Sequence, residues 1–194
     1  MGAAADCETI GAGFLGQPVN SLTTIAFLVA GVVLIGLRPG RKWVGIGLAV
    51  TGLGSFLFHG PMPPGSEWAH DVSLAWLITM VAGLDSRWER LTRLPALLAL
   101  AVVFAVFPVA ADPVAVVLTA LAVLAILSRD RSRPVLASLL LLAALAVFGR
   151  LGATGGPLCD PGSVFQAHGV WHLGAASTGA WLALVYADRS ATNR

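Results

Sequence analysis

The chain has four histidines, and two of them, His168 and His172, stand four residues apart in the stretch QAHGVWHLGA. On a helix, positions i and i+4 share one face, so the two imidazoles project the same way. The segment GSFLFHG repeats the spacing with Ser55 and His59, and AHDVSLAW sets His70 beside Asp71. Three imidazoles from two helices make a three-ligand zinc site with a fourth position open to water. A carboxylate at Asp71 would take a proton from that water or orient it, and the Ser55 hydroxyl would donate to the water or to a developing oxyanion. Each residue also has an ordinary reading when taken alone. His59 is then an interfacial residue at a helix end, Asp71 an N-cap or first-turn acid, and Ser55 a hydroxyl bonded back to its own helix. Between the adjacent pair, Asp71 is assigned to the site and His70 to a loop or interface, because neighbouring positions point to different faces.

For these residues to meet, the chain between them must return to one level. Hydrophobic residues make up 57% of the chain and charged residues only 11%, against about a quarter charged in a soluble domain. Such a chain has lipid as its solvent, and the expected fold is all-α: a single domain, 1–194, built as a seven-transmembrane-helix bundle. The apolar runs lie near 19–37, 43–60, 67–84, 95–111, 113–128, 134–151 and 165–187, separated by breaks such as RPGRK, GPMPPG and SRDRSRP. The N-terminus has no basic n-region, and two acids precede any apolar run, so the first run is read as a retained helix rather than a signal peptide.

Eleven of the twelve basic residues fall in alternate breaks or after the last run, with Arg150 the exception. The positive-inside rule places those breaks in the cytoplasm, the N-terminus outside and the C-terminus inside. His59, His70, Asp71, His168 and His172 then share the outer half of the bilayer, where ionisable groups are functional candidates. Cys7 and Cys159 also lie on the outer side, where disulfides persist, either as a bridge or as two separate thiols. No basic stripe with interleaved aromatics exists, which argues against nucleic-acid binding. Lys42 is the only lysine in a chain rich in alanine, glycine and arginine, a bias compatible with a GC-rich bacterial genome and hence a bacterial cytoplasmic membrane.

Together these residues resemble the alkaline ceramidase family, within the wider superfamily of seven-span hydrolases that includes adiponectin-type receptors and GPI-remodelling proteins. The shared pattern is Ser-x-x-x-His closing span two, Asp opening span three and His-x-x-x-His in span seven: Ser55/His59, Asp71 and His168/His172. The stretch DCE followed by QPVNSLTTIAFLVAG also resembles the family's N-terminal Cys-Glu segment and Asn-containing first span. Spans four to six match only as apolar helices. The resemblance implies zinc held by His59, His168 and His172, with Asp71 and Ser55 acting on its water. It also implies a Cys7–Cys159 disulfide and hydrolysis of the amide of ceramide or a ceramide-like N-acyl lipid, releasing a fatty acid and a sphingoid base. The family's animal members carry an acidic calcium site near the N-terminus. Here Gln17 aligns with an acidic ligand, so the resemblance implies at most a weak Ca2+ site at Asp6, Glu8 and Gln17.

Other readings are weighed against this one. A receptor or sensor would hold zinc structurally and bind lipid without turnover. The absence of long cytoplasmic loops for a partner argues against it, and no obligatory protein partner is expected. A proton or ion transporter would need polar steps across the whole membrane, whereas the polar residues cluster in one leaflet. A retinal protein is excluded because Lys42 lies in a cytoplasmic break, where no span-seven Schiff base can form.

Overall fold

The computed structural model describes residues 2–192, with side chains as far as Tyr186. Arg194 of the basic pattern lies outside the described residues, as does the side chain of Arg189. The described residues form seven helices and no strand. They are α1 (Pro18–Leu37), α2 (Lys42–His59), α3 (Ser66–Gly83), α4 (Leu94–Val106), α5 (Ala111–Arg129), α6 (Arg133–Leu151) and α7 (Ala167–Thr192). Three stretches are long and apolar enough to cross a membrane: Pro18–Leu37, Pro108–Arg129 and Arg133–Leu151. Helix α4 is apolar but shorter.

Prolines set several of the boundaries. Pro18, Pro95 and Pro134 occupy the first turns of α1, α4 and α6, where a missing N–H breaks no helical bond. The fourth span, expected over 95–111, stops at Val106 instead. Pro108 pushes Phe107 out of the helical region, to φ −128° and ψ 69°. The last helix opens at Ala167, two residues later than expected. Gln166 just before it spends its side-chain amide on the carbonyls of Asp160 and Ser163.

Helix α1 packs along α2 and α7, α2 along α3, α3 along α4 and α5, and α6 along α7. The α1–α2 contact is backbone against backbone: a Cβ on Gly31 would sit 2.4 Å from the Gly45 carbonyl oxygen. Gly54 lets α2 press onto α3 in the same way, since a Cβ there would meet the Ala69 carbonyl at 2.9 Å. These close approaches bring the helix bearing Ser55 and His59 against the helix bearing His70 and Asp71. The main core is centred on α1, α2 and α7, reaches α6 through Val135, and includes Phe27, Leu34, Leu48, Ala176 and Leu182. A smaller one, of Val72, Ala75, Phe104 and Ala111, joins α3 to α4 and α5.

The two ends of the bundle differ in chemistry. At one end Arg41 donates to both carboxylate oxygens of Asp85, at 3.0 and 2.6 Å. Arg129 donates to the carbonyls of Leu84 and Ala82, and the Arg93 guanidinium stands over Trp43 at 5.5 Å. The other end is covered by the N-terminal segment and the α6–α7 loop, joined by the Cys7–Cys159 disulfide with its Cα atoms 5.6 Å apart.

Candidate metal centre

The N-terminal segment is anchored to both sides of the histidine end. Cys7 N–H donates to the Thr154 hydroxyl, which donates to the Ala4 carbonyl, while Thr9 N–H donates to the Pro161 carbonyl. Further along, Gly16 N–H and Gln17 N–H donate to the carbonyls of Gly60 and His59. The start of α1 is thereby fastened to the end of α2. Glu8 accepts from the N–H groups of Val19 and Asn20 at 2.7 and 2.8 Å. Its carboxylate satisfies the open amides of the first turn of α1, where the helix dipole favours negative charge.

The nitrogens of His59, His168 and His172 available for ligation lie within 4.8 Å of one another. Their ring centroids are 5.0, 5.2 and 4.5 Å apart for the pairs 59–168, 59–172 and 168–172. His59 and His172 are almost wholly buried. The polar contacts on the far side of each ring indicate which nitrogen faces the cluster. Gln17 donates through Nε2 to the carbonyls of Ala3 and Glu8, so its Oε1 must be the atom that meets His59 Nδ1 at 2.7 Å. An amide oxygen only accepts, so His59 carries its proton on Nδ1. His172 Nδ1 lies 3.2 Å from the Asn20 carbonyl and 3.1 Å from the Thr23 hydroxyl. The carbonyl again demands a donor, so His172 is also protonated at Nδ1. His168 Nδ1 lies 3.3 Å from Asp6 Oδ1, an ion-pair distance, and the negative charge favours a proton on that nitrogen. All three rings therefore turn an unprotonated Nε2 inward.

Nε2 of His59 and Nε2 of His168 are buried without a hydrogen-bond partner. An acceptor stranded in this way costs about 1–3 kcal/mol, and converging lone pairs repel one another. A cation removes both penalties, so the three residues fit a single metal ion. Nitrogen donors of this type suit zinc and its transition-metal neighbours rather than calcium or magnesium.

The remaining residues named from the sequence are distributed around this cluster. Ser55 is buried on α2. Thr51, Thr79 and Ser138 donate to carbonyls four residues back, but among the described residues Ser55 makes no such bond. Asp71 and His70 do not face apart as expected. Adjacent helical positions are about 100° apart, close enough for His70 Nδ1 to reach Asp71 Oδ1 at 3.0 Å. The His70 ring stacks on Phe58 and lies 6.2 Å from His59, so it belongs to the surroundings of the cluster. Asp6, Glu8 and Gln17 serve three different partners: His168, the first turn of α1, and His59. Burial pushes the Asp6 carboxyl up to about 6, against the pull of the nearby His70 imidazole.

Sequence reasoning named Asp6 and Gln17 for a weak calcium site and not for the places they take behind His168 and His59, and it missed Thr23 and the Asn20 carbonyl behind His172. It also missed Asn20 itself, whose side-chain nitrogen and oxygen are both buried without a partner. The only signal for these residues was their density in a short polar stretch before an apolar helix. Compared with protein-family models, curated proteins and solved structures, the chain gives no match.

Proposed function

We propose that this chain is an integral membrane amidase that holds zinc through His59, His168 and His172 and cleaves a lipid. The substrate class is ceramide or a ceramide-like N-acyl lipid, giving a fatty acid and a sphingoid base, as the likeness to alkaline ceramidases implies. The observation that carries this reading is the convergence of three imidazoles whose inward nitrogens lack protons, two of them buried and unpartnered. The seven helices would all span a bacterial cytoplasmic membrane, with the N-terminus outside. Support comes from the large apolar side chains left exposed on the outer helices, among them Val116, Leu124, Leu140 and Val147. The gathering of Arg41, Arg93 and Arg129 at the end away from the disulfide supports the orientation.

When bound, zinc lowers the pKa of a water toward about 7 and polarises a carbonyl oxygen. The three Nε2 atoms would hold the ion. Asp71, steadied by the His70 N–H, takes the proton the water gives up and passes it to the leaving amine nitrogen. The Ser55 hydroxyl donates to the oxygen on which negative charge develops. An apolar groove of about 530 Å³ between α1 and α7, lined by Val29, Val33, Leu173 and Ala180, offers room for an acyl chain.

The test is a mass-spectrometric screen of purified, zinc-loaded protein against ceramides, other N-acyl lipids and ester lipids, with chelator-treated protein as the control. Release of fatty acid from an N-acyl lipid, lost on chelation, is the expected result. If metal-loaded protein cleaves no lipid class, the second reading replaces the first: a lipid receptor with a structural zinc. The enclosure of His59 and His172 beneath the N-terminal segment favours that alternative.

A further inference from the structure

The three Nδ1 acceptors differ in one respect. His59 is held by a carboxamide, and His172 by a carbonyl and a hydroxyl, all of them neutral. His168 alone faces a carboxylate, that of Asp6 at 3.3 Å. It is also the least buried ring of the three. No other acceptor meets its Nδ1 among the described residues.

Asp6 is delivered to this position by a short chain of fixed points. Residues Ala3–Asp6 form a 3-10 turn, and the Asp6 carbonyl accepts from Glu8 N–H at 2.9 Å. Cys7 adopts a left-handed φ of 69°, a conformation that a non-glycine residue holds only when its surroundings impose it. The disulfide and the Cys7 N–H bond to Thr154 supply that constraint. The turn at Cys7 lets two nearly adjacent acids do separate work: Glu8 goes to the first turn of α1 and Asp6 to His168.

We propose that Asp6 is a positioning residue for the metal, its carboxylate beside Nδ1 holding His168 with Nε2 inward and strengthening it as a donor. The inference rests on the metal-site reading given above. A ligating histidine with a carboxylate behind it is a better donor, and loss of such a partner typically lowers metal affinity 10–100-fold. The charge of Asp6 also offsets part of the charge of a divalent ion, which the neutral groups behind His59 and His172 do not do.

The experiment uses the full chain in detergent with its disulfide intact, titrated with Co2+ followed by visible absorption and with Zn2+ against a chromogenic chelator. Asp6→Ala is expected to weaken Zn2+ binding about 10–100-fold. Asp6→Asn keeps the shape and an acceptor but loses the charge. It is expected to weaken binding by a smaller factor and to shift the cobalt absorption bands, while the metal-free melting temperature and thiol count stay those of the parent. Unchanged affinity and spectrum in both variants, with the parent binding one ion, would overturn the role of Asp6 alone. A weakened affinity accompanied by a lower metal-free melting temperature or by free thiols in Asp6→Asn would also overturn it, since the residue would then be holding the segment. A parent that binds neither ion would overturn this role and the metal site together. Metal binding by the parent without cleavage of any lipid removes the proposed reaction and leaves Asp6 standing.

Discussion

The two ends of the bundle differ in which buried polar groups they leave unmet. At the basic end three arginines have counterparts: Arg41 meets Asp85, Arg129 meets two carbonyls, and Arg93 meets Glu89 and the Trp43 ring, while Arg93 Nε and Ser132 Oγ are left unmet. At the disulfide end the outer nitrogen of each ring is held while the inner nitrogens of His59 and His168 and both polar atoms of Asn20 are left unmet. Polar groups that serve only stability are paired, because an orphan in a dry interior costs more than the pair returns. Of the six buried side-chain polar atoms left unmet among the described residues, four stand at the disulfide end, and two of those are imidazole nitrogens that converge as a bound cation would require.

The largest effect should come from removing a convergent nitrogen. His172→Ala is expected to abolish bound zinc and turnover together; stoichiometric zinc in that variant by metal analysis would erase the contrast between the two ends. Asp71→Asn should keep the metal and lower turnover by roughly 10²–10⁴-fold, the usual range for a lost general base, read by steady-state kinetics on the cleaved lipid. If turnover is unchanged, His70 and Asp71 belong to packing rather than to the reaction. The smallest effect on the site should come from the opposite end. Asp85→Ala leaves the buried Arg41 guanidinium without its carboxylate and should cost about 1–3 kcal/mol, seen as a lower melting temperature. Zinc affinity should not move; a fall would mean that the two ends are coupled through α2 and α3.

Much of the site is legible in the sequence because helical periodicity is local. The His168/His172 spacing needs only one helix to put both rings on one face, and the order of the apolar runs brings His59 to their level. The groups behind the rings are a different matter. Gln17 meets His59 across 42 residues and Thr23 meets His172 across 149, contacts set by where the chain returns. His70 and Asp71 show a milder failure: the rule that neighbours face apart holds for strands, and on a helix it overstates the angle. The helix boundaries were readable wherever proline marks them, and the shortened α4 shows what happens when Pro108 is overlooked. The contrast between outer and inner helices was less visible. On α5 only Ala111, Ala122 and Ile126 are buried, whereas α2 buries ten residues, Thr51, Ser55 and His59 among them. The inner helices carry the buried histidines and hydroxyls, and so they look less like membrane spans by composition alone.

The Cys7–Cys159 bond encloses six of the seven helices in one covalent loop and leaves α7, with His168 and His172, outside it. During synthesis the N-terminal segment emerges first, yet its partner cysteine arrives only after α6 is complete. His59 must therefore wait, without its two companions, through most of translation. Any ion the three rings hold would then arrive late, once the helix bearing His168 and His172 has packed against α1 and α2.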